Sequence, residues 1–282
     1  MSKDHKILKR SFIPGEEWLY YKIYCGEKTA DKILVHEILP LTHSLYENEI
    51  IDKWFYIRYN DPDFHLRIRF HIIDHKKITT IIEEIKNVFK GYLSSNEVWK
   101  VQIDTYTREV ERYGDVTIPY AEDVFFTDSC HIVNIIKLTN TNEERFVEVF
   151  HRINQLIKLF NLKDNELLVF LKNMLKYYKD EFNANKQTTK SLYKKHNALK
   201  PLLKKNVIKS SSLELSDLEF KVKTLLEKSE YNQVKISKTS FLSSIIHMSI
   251  NRTFRLNQRL YELLVYDFLV KNYEFKFKRD EK

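Results

Sequence analysis

The sequence predicts an α+β protein, and three observations carry that prediction. The first hundred or so residues switch between period-two and helical hydrophobic patterns. The remainder reads almost wholly as helices. Glycine is nearly absent, with 4 in 282 residues. So few glycines cannot furnish the turns of an all-β sandwich, a dinucleotide-binding turn or a phosphate-cradling loop. Gly26-Glu27-Lys28-Thr29 lacks the upstream glycine of such a loop.

Taken in order, Glu17–Cys25 is aromatic and β-branched and reads as a strand. From Thr29 to Ser44, Ile33, Leu34, Ile38 and Leu41 recur at helical spacing. Trp54–Tyr59 and His65–Ile72 are two strand patterns joined across Asn60-Asp61-Pro62-Asp63, a turn sequence, so they predict a hairpin. Ile78–Tyr92 repeats Ile81, Ile82, Ile85, Val88 and Phe89 as a helix, and Val98–Arg108 returns to strand. The order β-α-β-β-α-β is that of a ferredoxin-like unit, packed here against a C-terminal, mostly helical part. The expected division is 1–118 and 119–282, working as one compact functional unit.

Beyond residue 118, Thr141-x-x-Glu144 reads as a capping box opening a helix with Phe146, Val149, Phe150, Ile153, Ile157 and Phe160 on one stripe. Ser216-x-x-Glu219 reads as a second box. Further helices are expected over Asn165–Glu181, Lys190–Leu203 and Thr239–Val270, and the alternating Tyr273–Lys278 as a short final strand. Lys186–Ser212 carries eight lysines and no acid, which reads as an exposed helix or linker.

Composition narrows the function classes. With 43% apolar and 30% charged residues the chain is globular, and its net charge of +8 is mild for this length. Cys25 and Cys130 make neither a disulfide framework nor a metal-binding pair. No apolar run approaches the roughly 18 residues of a membrane span, and Met1–His5 has no apolar signal region, so the expected location is cytoplasmic. His71-x3-His75 finds no third ligand at suitable spacing, and neither metal nor cofactor is expected.

Three places could carry chemistry. Along the second hairpin strand His65, Arg67, Arg69 and His71 share one face, while Leu66, Ile68, Phe70 and Ile72 share the other. Four basic groups on one side of a central strand need either neighbouring acids or an anionic ligand. Glu109-Val110-Glu111-Arg112-Tyr113-Gly114 ends the last strand pattern at one of the few glycines; its Arg beside two Glu fits a site or a surface ion pair. His247 lies in an apolar helical stretch, as a core histidine or a functional one, with Asn251 one turn on to orient it.

Together these segments resemble the C-terminal glutamate-elimination domain of lantibiotic dehydratases, also called the thiopeptide-type bacteriocin biosynthesis domain. The resemblance runs through Trp18–Tyr24, Phe55–Pro62, His65–Arg69, Tyr106–Gly114, Ala121–Ser129, Ile245–His247 and Asn251-Arg252, in family order. The pairing of Arg-x-Arg with Glu-x-x-Arg-Tyr-Gly is the specific part of it.

The resemblance implies a lyase of antibiotic (RiPP) biosynthesis. In that family, Ser or Thr of a precursor peptide is glutamylated from glutamyl-tRNA, and glutamate is then eliminated to give dehydroalanine or dehydrobutyrine. The glutamylation part has no counterpart in this sequence, so a separate glutamylation protein is the expected partner; a homo-oligomer is compatible with the reading. The family's functional arginines fall on Arg69 and Arg112, with Arg67 beside the first, and its histidine falls on His247. Its supporting acids fall on Glu109 and, after a one-residue shift, Glu262, where they would hold the arginines. Two rivals remain: an aza-[4+2] pyridine-forming cyclase of the same family, and a non-catalytic peptide- or RNA-binding accessory protein using the lysine run and the aromatic sheet.

Overall fold

The computed structural model describes residues 8–204, 212–232 and 235–280. A short strand β1 (Ser11–Phe12) precedes β2 (Trp18–Cys25). Helix α1 (Glu27–Ile33) widens into a π turn over Leu34–Ile38 and resumes as α2 (Leu39–Glu47). Pro40, with no N–H to give, sits just after the widened turn. The hairpin β3 (Ile51–Asn60) and β4 (Phe64–Ile72) follows, then α3 (Ile78–Ser94) and β5 (Val98–Asp104). These strands form an antiparallel sheet in the order β3-β4-β2-β5. One face buries Leu19, Ile23, Leu66, Ile68 and Phe70 with Ile33, Leu34, Ile81 and Phe89 of the helices in one core.

The last strand pattern stops earlier than its composition suggests. β5 ends at Asp104, and Tyr106–Thr107 forms β6, which pairs with β1 in a separate two-stranded sheet. Asp104 accepts from the Thr105 N–H, so the chain turns out of the main sheet there.

The rest is helical: α4 (Val110–Tyr113), α5 (Ile118–Leu138), α6 (Asn142–Phe160), α7 (Asp164–Glu181), α8 (Lys186–Leu199), α9 (Ser212–Ser229), α10 (Lys238–Thr253) and α11 (Gln258–Asp280). The Thr141 capping box forms as expected: Thr141 Oγ1 accepts from Glu144 N–H, and Glu144 accepts from Thr141 N–H. Ser216 is not a cap, because α9 has already begun at Ser212. The helix expected over Thr239–Val270 is two, since Phe254 is extended and Asn257 takes a positive φ of 57°. The expected final strand is helix: Tyr273 and Phe277, one turn apart, pack on the core while Phe275 is exposed. The lysine-rich run is helical to Leu199, with Leu192 and Leu199 buried; residues 205–211 lie outside the described residues.

Strand β3 is an edge, and an edge leaves backbone groups unpaired. Here α5 and α10 pair them with side chains. Asn251 accepts from Arg58 N–H and donates to Arg58 C=O, both at 2.9 Å. Arg252 Nε donates to Tyr56 C=O at 2.9 Å, and the Tyr56 N–H reaches Ser129 Oγ at 3.3 Å. Asn251 is therefore committed to the sheet edge and does not orient His247.

Buried ion pairs complete the junction. Asp31 on α1 receives Arg58 at 2.6 Å, Arg145 at 2.7 Å and Arg255 at 2.7 Å. Burial works to raise its pKa, but the three guanidiniums outweigh burial and hold it below the ordinary value. Asp128 on α5 takes Arg252 and Ser249 of α10, at 2.9 and 2.8 Å. Arg108 grips Glu122 with two bonds, at 2.7 and 2.6 Å.

Candidate active site

The basic face of β4 lies away from the helix-packed core, as its alternation predicts. Cross-strand register sets Tyr20 and Phe55 on either side of Arg69. The Arg69 guanidinium sits over three rings, 4.5 Å from Tyr20, 5.1 Å from Phe55 and 4.9 Å from Tyr106. It is 8% exposed, and its Nε and Nη1 have no hydrogen-bond partner among the described residues. Burial, the largest influence, pulls its pKa below the ordinary guanidinium value. The three rings supply cation–π attraction but no acceptor lone pairs. Arg69 lines a cavity of about 40 Å³ with Tyr106, Glu109, Tyr113, Phe125 and Met248.

Its neighbours on the strand are already engaged. Arg67 Nε donates to His65 Nε2 at 3.0 Å, and its guanidinium lies 3.4 Å from the Tyr59 ring centre. His65 also holds the Asp63 carbonyl, and His71 meets Asp52 at 2.6 Å. Of the four basic groups, Arg69 alone keeps buried, unpartnered donors.

The Glu109–Gly114 segment forms the turn α4. Gly114 has a φ of 80°, and a Cβ there would overlap the Asn232 amide. Asn232 is buried and accepts from the N–H groups of Val116 and Thr117, at 3.0 and 3.2 Å. The motif glycine thus lets the chain after α9 clamp this turn. Arg112 and Glu109 pair loosely at 3.6 Å, and both are substantially exposed. They border a groove with Lys235, Ser237, Ser240 and Ser244. Glu109 lines both this groove and the Arg69 cavity.

His247 is on α10, next to the cavity-lining Met248. Its Nδ1 is 2.8 Å from Glu262 Oε1 on α11. Burial, followed by the charges of Arg112, Arg259 and Arg252, lowers the His247 pKa to about 4. Glu262 is completely buried, which raises its pKa to about 8 against the opposing charge of Arg112. Desolvation therefore favours the uncharged form of both partners. Glu262 also meets Tyr178 of α7 and Arg259 of α11. Its contacts are with His247 and Arg259; of the arginines it was expected to hold, Arg112 reaches it through charge.

Glu109 joins the Arg69 cavity to the groove bordered by Arg112, a path between the sheet's basic face and α10, and Arg112 lies near enough to His247 and Glu262 to act on both by charge. Arg67 stays on the outer part of that face. Sequence reasoning missed Asn232, Tyr178 and Arg259. A tyrosine in the apolar stripe of α7 looks like any core residue, and only its contact with a buried acid distinguishes it. Among the described residues, no three His, Cys, Asp or Glu side chains cluster as metal ligands.

Residues 18–273 match the family model of the lantibiotic biosynthesis dehydratase C-terminus. The chain belongs to this family. It is 28% identical over 267 residues to the nisin biosynthesis protein NisB of Lactococcus lactis subsp. lactis, covering 92% of this chain and 26% of NisB. It spans about a quarter of the length of the curated relatives it matches. The crystal structure of the tRNA-dependent lantibiotic dehydratase MibB from Microbispora sp. 107891 superposes with a TM-score of 0.67 at 16% identity, over 96% of this chain and 29% of MibB. The pyridine synthase TbtD from thiomuracin biosynthesis superposes at 0.62 and 11% identity, over 92% of this chain and 100% of TbtD. The dehydratase C-terminal family thus places the chain in lantibiotic-type biosynthesis. Among the described residues no helix is long and apolar enough to cross a membrane.

Proposed function

We propose that the chain eliminates glutamate from glutamylated Ser or Thr of a ribosomal precursor peptide, leaving dehydroalanine or dehydrobutyrine. The observation that carries this reading is the buried Arg69 guanidinium, which keeps unpartnered donors and lines a cavity shared with Glu109. A carboxylate of the departing glutamate would fill the donors that the three rings leave empty. Arg112, half exposed across Glu109, would take the second carboxylate. His247 would remove the α-proton through Nε2, with Nδ1 held by Glu262. The C–H electron pair becomes the C=C bond as the Cβ–O bond breaks, and glutamate leaves as the carboxylate. Charge developing on the adjacent carbonyl oxygen falls within the field of Arg112 and Arg69.

On this reading the sheet is a ferredoxin-like unit, supported by its strand order and two helical crossovers. Residues 1–118 and 119–282 act as one unit, because the arginines come from the first part and His247 and Glu262 from the second. A separate protein using glutamyl-tRNA would supply the glutamylated peptide. Incubating the chain with such a peptide and following it by mass spectrometry tests the proposal. The adduct should disappear with the wild type and persist with Arg69→Ala and His247→Ala. Normal dehydration by both variants would refute it.

The full-length coverage of TbtD favours a second reading, a pyridine-forming cyclase. That reading requires ring formation from a peptide already carrying dehydroalanines, and no loss of the glutamyl adduct.

A further inference from the structure

The Glu262–His247 pair is not isolated. Arg259 Nη1 donates to the Tyr178 hydroxyl oxygen at 3.1 Å and to Glu262 Oε2 at 3.3 Å. With its oxygen accepting from Arg259, the Tyr178 hydroxyl is left to donate its proton to Glu262 Oε2. Arg259 is itself fixed from the far side, where Nε and Nη2 grip Glu181. Tyr178 is buried and stacks on Tyr266, with ring centres 5.5 Å apart.

We propose that Tyr178 and Arg259 are positioning residues, which stabilise the buried Glu262 carboxylate as the acceptor of the His247 Nδ1–H and so leave Nε2 free to take a proton. This deepens the elimination reading, and rests on it where His247 is the base. The physics has two competing sides. Burial favours a protonated Glu262, which would donate to Nδ1 and place the ring hydrogen on Nε2, the wrong tautomer for a base. Two donors on Oε2, one of them cationic, favour the carboxylate and the useful tautomer. The other groups facing the pair are Arg112 from α4 and Arg252 from α10, both acting on His247, with Tyr177 and Glu181 of α7 around Arg259 and Tyr266 beside Glu262. With Glu262 at about 8, the crossover falls where loss of one donor is readily seen.

Ring-¹⁵N-histidine NMR reads the tautomer directly, with His247→Gln assigning the signal. In the wild type the Nδ1–H form should replace the Nε2–H form as pH rises. Tyr178→Phe, which keeps the stack on Tyr266, should move that midpoint upward by about one to two pH units. Arg259→Gln should move it the same way, and Arg259→Lys should restore part of it. The rising limb of kcat on a glutamylated peptide should move in step, with KM little changed. An unmoved midpoint in folded Tyr178→Phe and Arg259→Gln would overturn the proposal. A moved midpoint in a protein whose wild type eliminates nothing would uphold the positioning role and overturn the proposed reaction instead.

Discussion

Replacing Arg69 by Met should stabilise the free protein while abolishing its activity. The guanidinium has two buried donors without acceptors. Each costs about 1–3 kcal/mol, and desolvating the cation adds to that. Against this stand three ring contacts, at about 0.5–2 kcal/mol each. A thioether of similar length keeps much of the packing against Tyr20, Phe55 and Tyr106 and carries no desolvation cost. The expected balance is a gain of about 1–3 kcal/mol. Urea unfolding with an unchanged slope measures it as a higher midpoint. Glutamate added at millimolar concentration should raise the midpoint of the wild type and leave Arg69→Met unmoved, since only a binding-competent native state is stabilised by ligand. A loss of more than about 1 kcal/mol in Arg69→Met would refute the reasoning, because it would mean that the rings fully satisfy the cation and that Arg69 is a structural residue.

Other perturbations test the supports of the site. Gly114→Ala combines a positive φ with an overlap on Asn232, and should cost about 2–4 kcal/mol by denaturant unfolding; Asn232→Ala in the same background should recover part of the loss. Asp31→Asn leaves Arg58, Arg145 and Arg255 without their shared charge, and should cost about 3–5 kcal/mol, read as a fall in melting temperature. His247 is held neutral down to about pH 4, whereas the unfolded chain takes up that proton near its ordinary value of about 6.5. Stability from this group is therefore complete above about 6.5 and is lost as pH falls through about 4. Unfolding at pH 7 and pH 4.5 should show a drop smaller in His247→Gln than in the wild type by about 1–2 kcal/mol, after allowance for partial exposure.

What could be read from sequence was whatever repeats locally. The alternation of β4 disclosed its two faces, and the Thr141 box disclosed the start of α6, because both signals are complete within one segment. Ser216-x-x-Glu219 has the same spacing as a true box, but an amphipathic helix carries that spacing anywhere along its length, so α9 begins earlier. Tyr273–Lys278 satisfies both periods, and packing of Tyr273 and Phe277 on the core decides for helix. Asn251 shares a face with His247, yet it answers the open edge of β3. The residue that does hold His247 lies fifteen positions on, across a helix break. No local pattern encodes a partner on the next helix, nor the Arg259–Tyr178 link beneath it.

The charges of the site also have a direction. Arg69, Arg112 and Arg259 lie along the path, with Arg252 fully buried behind it and held by Asp128. Against them stand Glu109, which is exposed, Glu181, which grips Arg259, and Glu262, which burial pushes toward its neutral form. The field along the path is therefore positive, although the net charge of the whole chain said little about it. A low-dielectric box around Arg69 strengthens its attraction for an incoming carboxylate, and makes it costly in the absence of one. Burial first, and then the same field, lowers the His247 pKa and keeps it unprotonated beside cations that would otherwise be met by an imidazolium. An imidazole kept neutral beside arginines suits the proposed reaction, which both expels a carboxylate and removes a proton. The lysines of α8 add to the total without entering that field. Neutralising them in pairs should leave the elimination rate unchanged, whereas removing Arg112 should slow elimination and weaken the salt dependence of KM together. A rate that followed the α8 lysines instead would move the relevant electrostatics off the path between β4 and α10.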